Sequence, residues 1–343
     1  MSTTTERRPG WFRRHKAATG LVGLFLALLL VVIGWAAYLN SQIGDVPRIE
    51  AGIEDAPAGA ADDGVNILLA GTDSRRPGEL ARLVRSGWTP GAMRTDTIMV
   101  LHITEARDAA YFISIPRDTW TAVPGHAAQK INAGFSLGGP ELYVNTVERF
   151  TGLHIDHLAV IDWEGFKDLT KAIGGVDVTV PETVTDSLTG RTWQQGQVHL
   201  EGALALAYVR QRYGLPHGDF DRIQRQQNFI RAVIAKLLSK GTLLNPIRLS
   251  KAVDNVTGQV TLDSTFSNSE VRDLAISLRG LRTEDVTFVT VPLKKYARIR
   301  GQSAVLVDRR TVKELFAAAD ADKLEQLIKD YQDTVLDPPG KVR

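Results

Sequence analysis

Residues 17–39 carry no charged side chain, and residues 24–33 are apolar throughout. As an α-helix this stretch measures about 35 Å, enough to cross a hydrocarbon core of about 30 Å. A cleaved signal peptide has a shorter apolar core, and Gly34-Trp35-Ala36 is a poor small-x-small cleavage site. A retained membrane helix is therefore expected. Five basic residues (Arg7, Arg8, Arg13, Arg14, Lys16) against one acid, Glu6, precede it, and Asp45, Glu50, Glu54 and Asp55 follow it. Basic flanks stay on the cytoplasmic side. The expectation is a single-pass protein of the cell membrane, with residues 1–16 as a cytoplasmic basic tail and everything beyond residue 39 outside the cell.

The rest of the 343-residue chain is of ordinary globular composition, 43% apolar and 23% charged with net charge +2. It contains no cysteine, which excludes a disulfide scaffold, a thiolate zinc site, an iron–sulfur cluster and a cysteine nucleophile. Nothing in the charge balance or in any basic helix points to nucleic acid as a partner.

Residues 40–64 are rich in Pro, Gly, Ala and Asp without periodicity, and are expected to be an extracellular linker. Apolar runs at 65–71, 97–104 and 109–115 are bounded by turn residues and predict buried strands. Further strands are expected at 157–162, 176–180, 286–291 and 302–307. Helices are expected at 140–151, 165–173, 201–209, 220–239, 269–281 and 310–331. This alternation predicts one α/β layered domain over residues 65–335, with a mostly buried sheet. Residues 336–343, polar with two prolines, are expected to be a flexible tail.

The chain has no Walker A loop, no dinucleotide fingerprint and no HExxH. His154 and His157 are three apart on a predicted strand end, where they face opposite sides and suit no metal. Gly134-Phe135-Ser136-Leu137-Gly138 matches G-x-S-x-G, but Gln129-Lys130-Ile131-Asn132 upstream is not the buried strand that a nucleophile elbow needs.

The stronger signal is cationic. Tyr208-Val209-Arg210-Gln211-Arg212 ends one predicted helix, and Asp219-Phe220-Asp221-Arg222-Ile223-Gln224-Arg225-Gln226 opens the next. Arg222, Arg225 and Gln226 fall within an arc of about 100°. They lie beside an apolar stripe of Ile223, Ile230, Val233, Ile234 and Leu237. Clustered arginines at a helix start suit an oligoanion such as pyrophosphate, held by bidentate charge-assisted bonds. The competing reading is a solvated face with local Asp–Arg pairs, Asp219 or Asp221 capping the helix. Asp73 at a strand's C-terminal end, Asp96 just before a strand and Arg117 just after one add two carboxylates and another cation. These are the parts that metal-assisted phosphoryl chemistry uses.

In order along the chain, residues 66–73, 94–97, 114–118, Lys130-Ile131-Asn132 with Gly138-Gly139-Pro140, 174–178, 200–212 and 218–227 resemble the LytR-CpsA-Psr family of bacterial envelope proteins. The run from Arg210 to Phe220 is similar to actinobacterial members. The resemblance implies a three-layer α/β/α sandwich with a mixed sheet on the outer face of the membrane. It also implies transfer of a glycopolymer, such as arabinogalactan or a teichoic acid, from a polyprenyl-pyrophosphate carrier to peptidoglycan, with Mg²⁺ (or Mn²⁺) as cofactor. By position, Asp73 and Asp96 match the family's metal-associated aspartates. Arg94, Lys130, Arg210, Arg212, Arg222, Arg225 and Gln226 match its pyrophosphate-contacting residues. Arg117 matches the arginine placed at the acceptor hydroxyl, and with Asp96 it forms the expected catalytic pair. A guanidinium is a poor proton acceptor, so orienting the hydroxyl and stabilising charge suit Arg117 better than acting as a base. The resemblance also implies an apolar tunnel for the lipid, with the helix near Phe229 as a candidate wall. A diphosphatase using water and a non-catalytic lipid-phosphate module are the alternatives that these residues leave open.

Overall fold

The computed structural model describes residues 46–54, 64–74, 76, 78–238 and 259–342. The expected basic tail and membrane helix lie outside these residues. Among the described residues no helix is long and apolar enough to cross a membrane.

The apolar runs form the centre of a sheet. Strands β1 (Arg48–Ile49), β2 (Val65–Thr72), β3 (Thr95–Ile103), β4 (Ala110–Ser114), β7 (His157–Ile161), β12 (Val260–Asp263) and β13 (Val286–Thr290) make seven strands in the order β1-β12-β7-β2-β3-β4-β13. The sheet is mixed: β7 runs parallel to β2 and β13 to β4, while β3 runs antiparallel to both β2 and β4. Because side chains alternate, each strand supplies both faces. Leu158, Leu68, Val100, Ile113 and Val289 stand in register across five strands and are all fully buried on the first face. Burying each such aliphatic side chain contributes about 1.5–3 kcal/mol, and this row fixes the register.

Helices cover both faces, giving three layers. On the first lie α1 (Glu79–Ser86), α2 (Ala133–Thr151) and α7 (Arg309–Asp320), through Leu83, Phe135, Val147, Val312 and Phe316. On the second lie α3 (Trp163–Ala172), α4 (Gly202–Arg210), α5 (Asp219–Leu237) and α6 (Asn268–Ser277). Strands β8 (Val176–Val180) and β11 (Gly196–Leu200) form a separate antiparallel pair packed against α3, α4 and α5.

α5 is fastened to the sheet by one side chain. Ser114 and Thr290 are paired polar residues on the second face. The buried Gln227 Nε2 donates to Ser114 Oγ at 2.8 Å, Thr290 Oγ1 at 3.1 Å and the Val289 carbonyl at 3.0 Å. This sets how the start of α5 meets the strand ends.

Several expectations need correction. Residues 46–54 are not linker: β1 adds a parallel edge strand beside β12, with Val46, Ile49 and Ala51 buried. A two-residue strand is too short for periodicity to reveal. Residues 336–342, expected as part of a flexible tail, are not free. The Leu336 N–H donates to the Phe288 carbonyl, and Leu336 and Val342 are buried with Met99 and Phe112 on the second face. No element was expected between residues 74 and 93, where α1 (Glu79–Ser86) buries Leu80 and Leu83. The helix expected from residue 140 begins at Ala133, so Ser136 lies within a helix rather than on an elbow. The helix kinks at Gly139, which has φ 72° and faces the Trp88 ring at a distance that leaves no room for a Cβ. The signal for the bend is Gly138-Gly139-Pro140 itself.

One buried histidine makes stability depend on pH. His102 is 1% exposed, with Nε2 2.9 Å from Asp322 Oδ1 and Nδ1 2.8 Å from Asn66 Oδ1. Burial lowers its pKa, outweighing the attraction of Asp322. The unfolded chain therefore binds this proton more readily. The stabilisation is complete above the ordinary histidine pKa of about 6.5 and is lost as pH falls below it. The Tm of the wild type is expected to drop between pH 7 and pH 5 by more than that of His102→Gln, measured by thermal denaturation; equal drops would refute this.

Candidate active site

The cationic residues converge at one end of the sheet, where β2 ends and β3 begins. The Asp73 N–H donates to the Arg94 carbonyl at 3.1 Å, and the Arg94 N–H donates to Asp73 Oδ1 at 2.8 Å. Thr72 pairs with Thr95 in the ladder, so Asp73 and Asp96 sit at the same end of the same strand pair. Arg117 follows β4 and reaches back to this end. Its Nη1 bonds the Asp96 carboxylate, its Nη2 lies 3.8 Å from Asp219 Oδ1, and its Nε lies 4.0 Å from Asp118 Oδ1. Lys130 joins through Asp118, with Nζ 3.0 Å from Oδ1. The guanidinium thus has a different carboxylate facing each of its nitrogens.

The first half of α5 supplies the other wall. Asp221, Arg222, Arg225, Gln226, Gln227 and Asn228 are all buried, an unusual run of polar residues for a helix interior face. Arg222 Nη2 lies 2.8 Å from Asp219 Oδ1, so Asp219 ties Arg222 to Arg117. Arg225 stands behind: Nη1 donates to Gln211 Oε1 at 2.8 Å, and its guanidinium lies over the Tyr208 ring at 4.6 Å. Gln226 Nε2 donates to the Val209 carbonyl at 3.2 Å. Arg210 lies 3.7 Å over the Trp163 ring. Arg212 donates to the Tyr213 hydroxyl at 2.8 Å.

Two cavities meet here. A polar one of about 350 Å³ is lined by Asp96, Arg117, Arg210, Arg212, Arg222 and Gln226, together with residues of a small hairpin, β9 (Val184–Thr185) and β10 (Thr192–Trp193). An apolar one of about 300 Å³ runs between the second sheet face and α3, α4 and α5, lined by Leu69, Met99, Phe112, Phe166, Phe229 and Val233. Asp96, Arg210 and Gln226 line both. The apolar stripe of α5 predicted from sequence is visible here: Ile230, Val233 and Ile234 are only half-buried, and Ile230 and Val233 line the cavity.

The electrostatics separate the arginines. Burial alone would lower the Arg117 pKa, but Asp96, Asp219 and Asp118 more than offset it, and the shift is upward. Burial lowers the Arg222 pKa; Asp219 opposes this and the like charge of Arg117 reinforces it. The Nε atoms of Arg117 and Arg222 are buried without a hydrogen-bond partner among the described residues. Two guanidiniums held close, each with an unused donor, form a receptor for a multiply charged oxyanion.

Of the residues expected from sequence, Asp96, Arg117, Arg210, Arg212, Arg222 and Gln226 share one cavity. Lys130 is tied to Arg117 through Asp118, Asp73 braces the backbone at Arg94, and the exposed Arg94 side chain lines neither cavity. Arg225 is placed to position Gln211 from behind. Sequence reading missed Asp118 as the link to Lys130. The competing reading offered local Asp–Arg pairs with Asp219 or Asp221 as a cap; the structure has the local Asp219–Arg222 pair, and Asp219 also bridges to Arg117. The interleaving of acids with arginines was the available signal.

A family profile described as the LytR_cpsA_psr family matches residues 40–321. The chain is 35% identical over 301 residues to the probable cell wall biosynthesis protein LcpB of Corynebacterium glutamicum, covering 87% of this chain and 69% of that protein. It is 33% identical over 338 residues to LcpA of the same organism, covering 86% of this chain and 64% of that one. It is 31% identical over 309 residues to the polyisoprenyl-teichoic acid–peptidoglycan teichoic acid transferase TagU of Halalkalibacterium halodurans, covering 84% and 97%. The solved structure of a LytR-Csp2A-Psr enzyme from Actinomyces oris superposes with a TM-score of 0.63 at 24% identity, covering 80% of this chain and 96% of that one, which shows the same fold. The order of motifs from residue 66 to 227 thus has its counterpart in an extended match, and the chain belongs to the LytR_cpsA_psr family.

Proposed function

We propose that this protein transfers a cell-envelope glycopolymer from a polyprenyl-pyrophosphate carrier to peptidoglycan, forming a phosphodiester. The observation that carries this reading is the junction of the two cavities at Asp96, Arg210 and Gln226. A ligand with a long apolar tail and a multiply charged head fits that junction. The name of the TagU relative points the same way. A membrane helix at residues 17–39, with the catalytic domain extracellular, would keep the site beside a lipid carrier.

The acceptor hydroxyl attacks the phosphorus that bears the sugar. An O–P bond forms there, the P–O bond to the polyprenyl phosphate breaks, and polyprenyl phosphate leaves. Arg117 orients the hydroxyl and faces the charge that builds on the phosphoryl oxygens. Its raised pKa keeps it cationic, so it does not take the proton. The Asp96 carboxylate fixes the Arg117 guanidinium in place, and the hydroxyl proton passes to water as the new bond forms. Arg222, Arg210 and Gln226 hold the diphosphate, with Arg212 at the rim.

Asp73 and Asp96 are oxygen donors at one ladder end, and beside them the Thr72 and Thr95 hydroxyls are buried without a partner. Among the described residues no group of three or more acidic or histidine side chains is able to hold a metal alone. Two carboxylates suit Mg²⁺ or Mn²⁺, which takes one or two of them and completes its shell with water and substrate phosphate. When bound, the ion would neutralise charge on the diphosphate.

The test is the purified protein with a lipid-diphosphate glycan donor, with and without peptidoglycan oligomers. Transfer requires the oligomers. Equal release of sugar phosphate in both would make it a diphosphatase, and binding without turnover a lipid-phosphate module. Val233→Trp, which fills the apolar cavity, is expected to lower transfer from a long-chain donor by about tenfold or more, the cost of overpacking by roughly 1–3 kcal/mol. It should spare a donor with a chain of a few carbons. Equal effects on both donors would remove the cavity from the lipid path.

A further inference from the structure

Beyond the donor site, one surface element is bonded to the segment that follows Arg117 and has no role assigned so far. Strands β14 (Leu293–Ile299) and β15 (Gln302–Val307) form an antiparallel hairpin outside the main sheet. Residues 290–307 contain Lys294, Lys295, Arg298 and Arg300 and no acid. All four cations are exposed, and the ring of Tyr296 between them is 59% exposed. None of the four makes an ion pair within 4 Å among the described residues, although this chain pairs many of its other surface charges.

The hairpin is stitched to the site. The Val305 N–H donates to the Asp118 carbonyl at 2.9 Å, and Thr119 bridges to Val305 in parallel. Asp118 follows Arg117 directly and holds Lys130. Tyr296 stands opposite Val305 in the hairpin register, and Arg298 shares the strand face of Tyr296. The carboxylates of Asp219 and Asp221, at the start of α5, are electrostatic neighbours of the Tyr296 hydroxyl. β15 thus runs beside Asp118, the residue after Arg117, with β14 outside it, while the apolar cavity opens under the second sheet face. At the tip, Arg300 and Gly301 both have positive φ, 50° and 77°. Asn or Gly is the ordinary residue at the first of these positions. An arginine there spends conformational energy to keep a cation at the tip.

A phosphoryl acceptor must reach Arg117 from outside, and in a transferase that acceptor is a glycan whose peptide stems carry free carboxylates. We propose that the β14–β15 hairpin is the acceptor-docking arm, with Lys294, Lys295, Arg298 and Arg300 holding stem carboxylates and Tyr296 packing against a sugar ring, so that a glycan hydroxyl is delivered to Arg117. The occupant is one anionic glycan–peptide strand. Charge complementarity and the hydrogen bond of Val305 to Asp118, the residue after Arg117, favour it over a lipid surface. The inference rests on the transferase reading, and direct binding separates the two.

The experiment uses the full-length protein, purified in detergent, and soluble peptidoglycan oligomers with free stem carboxylates. The variant K294E/K295E/R298E/R300E is expected to weaken oligomer binding by about tenfold or more and to flatten its salt dependence. Amidated oligomers should bind the wild type as weakly as anionic oligomers bind the variant. In transfer assays the acceptor KM rises while kcat is kept. If the variant is misfolded by circular dichroism, K294Q/K295Q is measured instead, with a loss of about threefold expected. Unchanged oligomer affinity overturns the proposal. So does a loss confined to the donor, which would make the hairpin a clamp for the polymer, or a loss confined to vesicles of anionic lipid, which would make it a membrane face. Hairpin-dependent oligomer binding by a wild type that transfers nothing would keep the docking arm and refute the transferase.

Discussion

Arg117→Ala is expected to lower kcat for glycopolymer transfer by about a hundred- to a thousandfold, the roughly 3–4 kcal/mol that one preorganised donor supplies to a developing oxyanion. The donor KM should change little, because Arg222, Arg210 and Gln226 remain to hold the diphosphate. The size of the effect follows from the way the guanidinium is held. Asp96, Asp118 and Asp219 each face a different nitrogen, which fixes its plane and keeps it charged. Arg117→Lys is expected to recover little, since one ammonium cannot face three carboxylates in that arrangement. Removing the cation also leaves three neighbouring carboxylates without it, so a lower Tm should accompany the substitution. A kcat within threefold of wild type in a folded Arg117→Ala protein would take Arg117 out of the chemistry.

The strands at the centre of the sheet were legible because burial on both faces leaves unbroken apolar runs, as in Ile98–Val100 and Tyr111–Ile113. β1, β12 and β14 were not. β1 is two residues long, and β12 (Val-Thr-Leu-Asp) is half polar. β14 exposes most of its side chains, so alternation never develops a buried face. The buried polar half of α5 was legible as an arginine cluster, because arginines at helical spacing beside an apolar stripe are visible in one dimension. What holds them was not. Gln227 meets Ser114 and Thr290 across more than sixty residues of chain, and Asp219 meets Arg117 from a different layer. Such partners are set by tertiary register, to which spacing along one helix is blind. The docked C-terminal segment was misread for the opposite reason: Pro338, Pro339 and Gly340 resemble a tail, yet Leu336 and Val342 on either side are buried.

Inorganic pyrophosphate at a hundredfold excess over its Kd is expected to raise the Tm of the purified protein by about 5–10 °C, from about 2.7 kcal/mol of linked stabilisation. The driving force is visible in the electrostatics of the site. Arg222 is 4% exposed, its pKa is lowered by burial and by Arg117, and Asp219 compensates only part of this. The buried Nε donors of Arg117 and Arg222 add two hydrogen bonds that an oxyanion is able to accept and that no described residue supplies. An anion with two linked phosphates therefore relieves repulsion and desolvation together, which a single phosphate does less well. Arg222→Ala should abolish most of the shift, while a substitution of the exposed Arg94 side chain, which lines neither cavity, should leave most of it. Differential scanning fluorimetry with pyrophosphate and orthophosphate at matched ionic strength reads all of these effects. Equal shifts from the two anions would mean that the cluster recognises one phosphate at a time. A full shift in Arg222→Ala would mean that the anion is held elsewhere, because losing this buried guanidinium has to weaken any anion that Arg222 and Arg117 bind jointly.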